Sequence, residues 1–517
     1  MRGRLTGLAL ALLTLGPVPA RAEWKEAAST NFIVYSEGSE TQLREFSARL
    51  EKFNWVLRTY HQVTAPPSPV KLKVYLLADI PAVGRMAGSG GVAGFYIQRA
   101  RSPMLVGTKA VASNGGIDSE EILLHEYTHH FMYRFFPASY PTWYSEGFAE
   151  FWGATDIRDN DVVEIGMPAE HRFRSFTRNR WLPVAKLLTA QSYADVPELD
   201  LLYAEGWLLT RFAFDRPDIR QKLQVYLTAI NAGRSYQKAA ADAFGDLDAL
   251  NSDLFAYAGR AKFSIVRLPF KKIETGPIAI RTLSPAEQAL LSYEIRLGRG
   301  VLQREAAEFA REVRSATSRF GEDPFALAIL AEAEGLAGNR AGQEAALERL
   351  LKAAPDHARG LMWKAALQID ALKAAGSVDK AAWDGARRLI VRASRSAPND
   401  ALVLEAYHDS FTAEGVLPPA AAQNALYKAM QLTPSDDELR YKVAADFERR
   451  GMIEEAIAII RPEAYMLPHK KPESNSERRK REEREERFRR AGSARHETAR
   501  EMLDRLEAKL RGTGARS

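Results

Sequence analysis

Two stretches of this 517-residue chain decide its interpretation: His125-Glu126-Tyr127-Thr128-His129 and, downstream, Pro141-Thr142-Trp143-Tyr144-Ser145-Glu146-Gly147-Phe148-Ala149-Glu150. The first has the HExxH pattern, and no glycine or proline follows it before Pro137, which favours a helix. Helical i, i+4 spacing places both imidazoles on one face, where they can bind one Zn²⁺. Glu126 then lies beside the ion, in position to take a proton from a metal-bound water.

A third protein ligand is needed if zinc is to keep a fourth position open for water. The segment from Trp143 to Ala149 fits the W-x-x-E-G-x-A pattern of the second zinc helix in the gluzincin metallopeptidases, and the chain resembles that family here. The resemblance implies that Glu146 is the third ligand and that Glu150, one turn later, accepts the second N–H of a zinc-bound histidine. The spacing alone also allows the reverse, with Glu150 as the ligand and Glu146 as its support.

A candidate oxyanion donor lies further along the chain. Tyr203-Ala204-Glu205-Gly206 resembles the Y-x-x-G segment of the aminopeptidase N-like branch of the gluzincins. There the tyrosine hydrogen-bonds the oxyanion of the tetrahedral intermediate, so the resemblance implies this role for Tyr203. The alternative interpretation is a core tyrosine on an apolar helix.

Over residues 30–255 the chain is similar to the peptidase MA-like family, whose bacterial members are secreted and in some cases carry tetratricopeptide (TPR) repeats. The G-A-M-E-N segment with which aminopeptidases bind the substrate's α-amine is absent, and Arg101-Ser102-Pro103-Met104-Leu105-Val106-Gly107 stands in its place. This departure favours endopeptidase over exopeptidase activity. We expect Met104, Leu105 and Val106 to form the edge strand that pairs with an extended peptide.

Residues 1–22 have the pattern of a secretory signal peptide. Arg2 and Arg4 precede a short apolar run, and Ala20-Arg21-Ala22 fits a cleavage site. The pattern predicts a cut after Ala22 and a periplasmic or secreted protein; the alternative is a membrane anchor, for which the run is short. No other apolar run is long enough for a transmembrane segment, and without cysteine any metal site must use histidine and carboxylates.

The remaining chain divides by pattern into a mixed-sheet domain, 23–260, a linker, 261–282, and alanine- and leucine-rich helix pairs, 283–468. In the helical region prolines recur at positions 324, 355, 398, 434 and 468. A period near 34 with helix–turn–helix units indicates TPR-like repeats, with a generic α-helical bundle as the alternative. The predicted fold class is α+β: a small zincin-like metallopeptidase domain, an all-α TPR-like repeat domain, and a charged helical tail, 469–517.

The formal net charge of +6 resides in the tail, because residues 470–516 carry 16 basic and 10 acidic residues and the rest is neutral. The basic isoelectric point therefore does not indicate a nucleic-acid partner. Glutamate and arginine alternate through residues 477–490, which predicts a solvated helix with i, i+4 ion pairs in preference to a binding arm.

Together these patterns predict a periplasmic or secreted zinc metallopeptidase that hydrolyses a protein or peptide substrate and binds a protein partner through its repeats. The alternative belongs to another functional class. It is a non-catalytic TPR-type binding scaffold in which the zinc domain is structural or a relic.

Overall fold

The computed structural model describes residues 23–88, 92–109, 119–158, 162–166, 175, 180–190, 195–196, 198–259, 263, 265–268, 273–465 and 497–514. The predicted signal peptide, 1–22, and the tail as far as residue 496 lie outside these ranges. Within them, no helix combines the length and the apolar character that crossing a bilayer requires.

A small mixed sheet forms the centre of the N-terminal domain. The strands are β1 (Trp24–Ala28), β2 (Phe32–Glu37), β3 (Leu72–Leu77), β4 (Gly94–Ile97), β5 (Met104–Thr108), β6 (Asp156–Ile157), β7 (Val163–Ile165), β8 (Val266–Leu268) and β9 (Ala279–Thr282). Six of them form one sheet in the order β4-β5-β3-β2-β1-β9, and the other three form a second sheet in the order β6-β7-β8. Strand β3 runs parallel to β2 and β5, whereas β4 is antiparallel to β5.

Helices make up most of the described chain. Those of the N-terminal domain are α1 (Glu40–Tyr60), α2 (Ile80–Ala87), α3 (Ser119–Phe135), α4 (Thr142–Gly153), α5 (Val184–Thr189), α6 (Leu199–Asp215), α7 (Pro217–Asn231), α8 (Tyr236–Phe244) and α9 (Leu247–Ala258). The C-terminal helices are α10 (Pro285–Arg299), α11 (Ala306–Thr317), α12 (Pro324–Leu336), α13 (Arg340–Ala353), α14 (Ala358–Ala374), α15 (Lys380–Ser396), α16 (Ala401–Glu414), α17 (Ala420–Leu432), α18 (Asp437–Arg449), α19 (Ile453–Tyr465) and α20 (Ala499–Gly514).

Helices α10 to α19 form TPR-like pairs in which each helix packs on its neighbours. The proline-containing turns found in the sequence separate the pairs. Asp323, Asp400 and Asp436 follow or flank these prolines and cap the first helices of three pairs, accepting a hydrogen bond from a backbone N–H of the first turn. The recurring proline and aspartate therefore mark where three of the pairs begin.

The main sheet is covered on both faces. On one face Val34, Val74 and Leu105 pack with α1 and α3 in the main core. On the other, Val106 packs in a second cluster with Leu291 and Ile295 of α10, so the first repeat helix covers part of the sheet. The two domains therefore share a hydrophobic core.

The described parts of the segment predicted as a linker, 261–282, contain strands β8 and β9. Strand β8 pairs with β7, and β9 adds to the main sheet beside β1, with Lys25 opposite Thr282 and Ala28 opposite Ala279. Pairing satisfies the backbone groups that a free linker would leave to solvent.

The expectation that Met104, Leu105 and Val106 form an edge strand is wrong. Strand β5 pairs with β3 on one side and with β4 on the other, and all of its residues are buried. A continuous apolar run is typical of a strand that is covered on both faces. The edge strands of the described sheet are β4, beside β5, and β9 at the opposite end.

The predicted solvated helix, 477–490, lies outside the described residues, whereas the end of the tail forms α20. In α20, Met502, Leu503 and Leu506 are buried in one cluster with Ile457 and Ile460 of α19. This helix is amphipathic, and its apolar face closes the last helix pair.

Helices α4 and α6 approach closely through one glycine on each. A Cβ atom at Gly147 would lie 2.3 Å from the backbone carbonyl atoms of Gly206. Because backbone atoms cannot move without shifting a helix, we expect Gly147→Ala to lower the free energy of unfolding by about 1–3 kcal/mol. Gly385→Ala in α15, where the nearest atom is an Arg388 nitrogen at 3.5 Å, is expected to cost nothing. Urea unfolding of both variants checks this, and equal midpoints would contradict it.

Candidate metal centre

Three side chains from α3 and α4 point one ligand atom each at a common position. The Nε2 atoms of His125 and His129 are 3.2 Å apart. Glu146 Oε2 lies 3.2 Å from the first of these nitrogens and 3.5 Å from the second. Among the described residues these three form the group that can hold a metal ion.

The spacing of the three atoms fits zinc. A tetrahedral Zn²⁺ with bonds of about 2.0–2.1 Å to nitrogen and oxygen separates its ligand atoms by about 3.3 Å. The three observed separations bracket that value. Two imidazoles and one carboxylate are also a donor set that zinc accepts, and they leave the fourth position for water or substrate. The site therefore fits a catalytic zinc ion better than a closed structural one.

Glu146 and Glu150 contact different atoms of the same histidine. Glu146 reaches the converging Nε2 atoms, whereas Glu150 Oε1 lies 3.4 Å from Nδ1 of His125, on the far side of the ring. A carboxylate at Nδ1 accepts the second N–H of the imidazole and leaves Nε2 as the metal-binding nitrogen. This geometry distinguishes the two assignments that the spacing left open, because Glu146 faces the position shared with both Nε2 atoms and Glu150 contacts only Nδ1 of His125.

The electrostatics of the site favour a cation. Burial would lower the pKa of His125, but hydrogen bonding to Glu146 and the charges of Glu150, Glu146 and Glu126 outweigh it and raise that pKa to about 9. Burial would likewise raise the pKa of Glu146, yet the two imidazoles hold it well below its usual range. Glu146 is therefore held in its ionised form, which is the form that binds a divalent ion.

Glu126 lies next to these ligands and remains partly accessible. Its pKa is raised by burial, and the nearby His125 and His129 oppose that shift. The backbone of Tyr96, in edge strand β4, also opposes the rise of this pKa. Strand β4 runs beside the HExxH helix, since a Cβ atom at Gly94 would lie 3.5 Å from Cγ of Glu126. The sequence had assigned this edge position to β5.

Tyr203 lies in α6 at the border of the site. Its ring centroid is 6.4 Å from that of His125, and the side chain is half-buried against the main core. The close approach of Gly147 and Gly206 brings α6 to this position one turn from Tyr203. Tyr203 thus lies beside the candidate metal ligands, as an oxyanion donor would, and its ring also packs in the core, as a structural tyrosine would.

Comparisons with known proteins find similar chains among solved structures. No family model matches the chain, and no curated protein does. Among solved structures, the chain is similar to MamA from Desulfovibrio magneticus RS-1 (18% identity, 34% of this chain, 90% of that chain, TM-score 0.25). It is also similar to a thermophilic TPR protein of Thermus thermophilus (20%, 33%, 81%, 0.25) and to pilF of Pseudomonas aeruginosa (14%, 44%, 100%, 0.28).

Two residues of the site were not found from the sequence. Ser145 Oγ lies 3.3 Å from Nδ1 of His129, and the Tyr133 hydroxyl lies 2.9 Å from the same Ser145 oxygen. His129 is therefore oriented through Ser145 and Tyr133, as His125 is through Glu150. Tyr133 is four residues after His129 on the same face of α3, a spacing that could have identified it. No comparable signal pointed to Ser145.

Removal of the Ser145 hydroxyl, which contacts His129, should weaken zinc binding without abolishing it. Residues that orient a metal-bound histidine contribute about 10–100-fold to affinity. We therefore expect Ser145→Ala to raise the zinc dissociation constant by about that factor, measured by competition with a chromogenic chelator. Ser47→Ala is the matched control, since its hydroxyl bonds only the Leu43 carbonyl within α1. An unchanged dissociation constant for Ser145→Ala would contradict the assigned contact.

Proposed function

We propose that the chain is a zinc-dependent metallopeptidase that hydrolyses peptide bonds in a protein or peptide substrate. The observation that carries the proposal is the convergence of His125, His129 and Glu146 on one position at separations suited to a tetrahedral ion. The gluzincin-like, zincin-type interpretation of the N-terminal domain belongs to the same proposal, as do the signal peptide and the periplasmic or secreted location.

When bound, zinc supplies a Lewis acid that polarises the scissile carbonyl and lowers the pKa of the attacking water toward about 7. Glu126 accepts the proton of that water and delivers it to the leaving amine. Its raised pKa suits this role, because a base must hold the proton long enough to pass it on. Tyr203 donates its hydroxyl hydrogen to the developing oxyanion.

The substrate docks on strand β4 in this proposal. An extended peptide can add to an exposed sheet edge through main-chain hydrogen bonds. Strand β4 is an edge strand of the described sheet, and at Gly94 it runs beside the Glu126 side chain. A peptide along this edge would therefore pass in front of the general base. Recognition through main-chain groups suits an endopeptidase, since neither peptide end is needed.

The second candidate is a non-catalytic scaffold of TPR type with a structural zinc or a relic domain. The extent of the helix pairs favours it, because stacked pairs commonly present a binding surface for another protein. In that case the protein partner of the repeats would define the function.

Zinc content and peptide cleavage, measured together on protein that starts at Glu23, separate the two. The metallopeptidase should hold about one zinc per chain and cleave a mixed peptide library. Chelation should remove this activity and added zinc should restore it. Zinc binding without any cleavage would support the scaffold, and absence of zinc would overturn the metallopeptidase.

A further inference from the structure

The turn between β4 and β5, residues 98–103, is inserted into the helix pairs of the repeat domain. Ala100 is buried in one apolar cluster with Leu404 of α16 and Leu426 of α17. Its backbone N–H donates a hydrogen bond of 2.7 Å to Asp436 Oδ2, at the N-terminus of α18. The tip of this hairpin therefore belongs to the packing of the repeats as much as to the sheet.

Arg101 is the charged anchor of this contact. Its side chain is 11% exposed and lies between Glu294 of α10, at 2.5 Å, and Glu332 of α12, at 3.2 Å. Arg359 of α14 donates a hydrogen bond of 2.5 Å to the Arg101 carbonyl oxygen. Removal of one member of such a buried ion cluster leaves an uncompensated charge, so the cluster holds the turn in one place.

The charges around the turn are balanced. Lys73 lies 3.3 Å from Glu294, and Arg359 lies 3.0 Å from Asp400, the N-cap of α16. The polar contacts from the repeats come from the first helix of a pair or from its N-cap, in α10, α12, α14, α16 and α18. The same face of successive pairs thus binds a segment of this chain.

Strand β4 connects the turn held by the repeats to the candidate site. Arg101 lies four residues after Ile97, the last residue of β4. The middle of β4 is attached to α3, because the Tyr96 hydroxyl lies 2.9 Å from Nδ1 of His130. Its C-terminal end continues into the turn that the repeats hold. The position of the edge strand relative to Glu126 therefore depends on both attachments.

We propose that Arg101 is a positioning residue through which the helix repeats fix edge strand β4, so that binding of an extended peptide substrate depends on the repeat domain. The inference rests on the proposed function, because the peptide is the substrate of the metallopeptidase. It gives the repeats a role within the enzyme, because they bind the β4–β5 hairpin of the same chain, and β4 is the strand to which the substrate would pair.

The experiment compares Arg101→Met with native protein in three measurements: zinc affinity, steady-state peptide cleavage, and amide hydrogen exchange of residues 94–108. We expect unchanged zinc affinity, a KM raised about 10-fold and a kcat within about 3-fold, since β4 contributes binding that is equal in ground and transition states. The β4 amides should exchange at least about 10-fold faster. Arg101→Lys keeps the charge, so its KM should lie between that of native protein and that of Arg101→Met.

Arg281→Met is the matched control. Arg281 also joins the sheet to α10, through Glu26 and Glu287 at 2.8 Å, but at the opposite edge, on β9. It should leave KM and β4 exchange unchanged. If Arg101→Met fails to fold, Arg101→Met with Glu332→Gln replaces it, because Lys73–Glu294 and Arg359–Asp400 then remain paired.

The outcomes separate the two proposals. If native protein cleaves nothing, the proposed function fails, and hydrogen exchange alone decides whether the repeats position β4. If the Arg101 variants match the Arg281 control in exchange and in KM, the positioning role is overturned even though the metallopeptidase stands. A fall in kcat with unchanged KM would also overturn it, because Arg101 would then act on the chemistry and not on peptide binding.

Discussion

Glu126→Gln is expected to lower kcat/KM for peptide cleavage by about 10²–10⁴-fold, the usual contribution of a general base. The amide keeps the shape of the side chain and can still face Tyr96, but it cannot accept a proton from water. Because Glu126 does not point a ligand atom at the position shared by His125, His129 and Glu146, zinc should still bind at about one ion per chain. Loss of cleavage with retained zinc is the signature of a base rather than of a ligand.

Glu120→Gln is the matched control for this variant. Glu120 is on the same helix, and its carboxylate pairs with Arg49 at 2.8 Å in a partly exposed ion pair. Such a pair contributes about 0–1 kcal/mol to stability and has no part in the proposed reaction. Cleavage should stay within about 2-fold of native protein. Full activity of Glu126→Gln would assign the proton transfer to another group and remove the proposed mechanism.

The convergence of the two histidines was predictable from sequence because their geometry is local. Spacing of i, i+4 on one helix fixes His125 relative to His129 whatever the rest of the fold does. The sequence could also nominate Glu146, through its resemblance to a known zinc helix, but spacing could not separate it from Glu150. Only the packing of α4 against α3 shows which atom of His125 each carboxylate faces.

The errors concern contacts between distant parts of the chain. Met104, Leu105 and Val106 form a strand as predicted, yet its two neighbours come from residues 72–77 and 94–97, and local pattern does not specify them. For the same reason β9 looked like part of a linker, although its pairing with β1 places it in the sheet. Strand pairing over long sequence separations is set by tertiary packing, which composition does not encode.

The contact between the repeats and the turn that contains Arg101 could not be predicted from the sequence either. The proline period identified helix pairs, and stacked pairs suggested a surface for an external protein. The structure places a turn of the same chain on that surface, with Arg101 between Glu294 and Glu332. A single sequence gives no indication that an arginine in a turn will contact two glutamates on separate helices. Their meeting depends on how the whole repeat stack docks on the sheet.

Glu146→Gln is expected to raise the zinc dissociation constant by about 10²–10⁴-fold, much more than Glu150→Gln. If three protein ligands share a binding free energy of about 10–16 kcal/mol, each contributes about 3–5 kcal/mol. A neutral amide is a poor ligand, so the Glu146 variant loses most of that share. Glu150 contacts only Nδ1 of His125, and loss of such support costs about 10–100-fold.

The pair of isosteric substitutions tests the geometry directly, because each removes one charge from neighbouring turns of α4. Chelator competition at fixed pH gives the two dissociation constants, and the thermal midpoint with and without zinc gives an independent measure, since a ligand stabilises only the protein that binds it. Glu146→Gln should lose the zinc-dependent rise in midpoint, whereas Glu150→Gln should keep it at saturating zinc. If Glu150→Gln suffers the larger loss, Glu150 is the ligand and the side chains of α4 turn differently around the ion. If neither variant changes affinity, zinc does not bind between α3 and α4, and the proposed metallopeptidase has no metal centre.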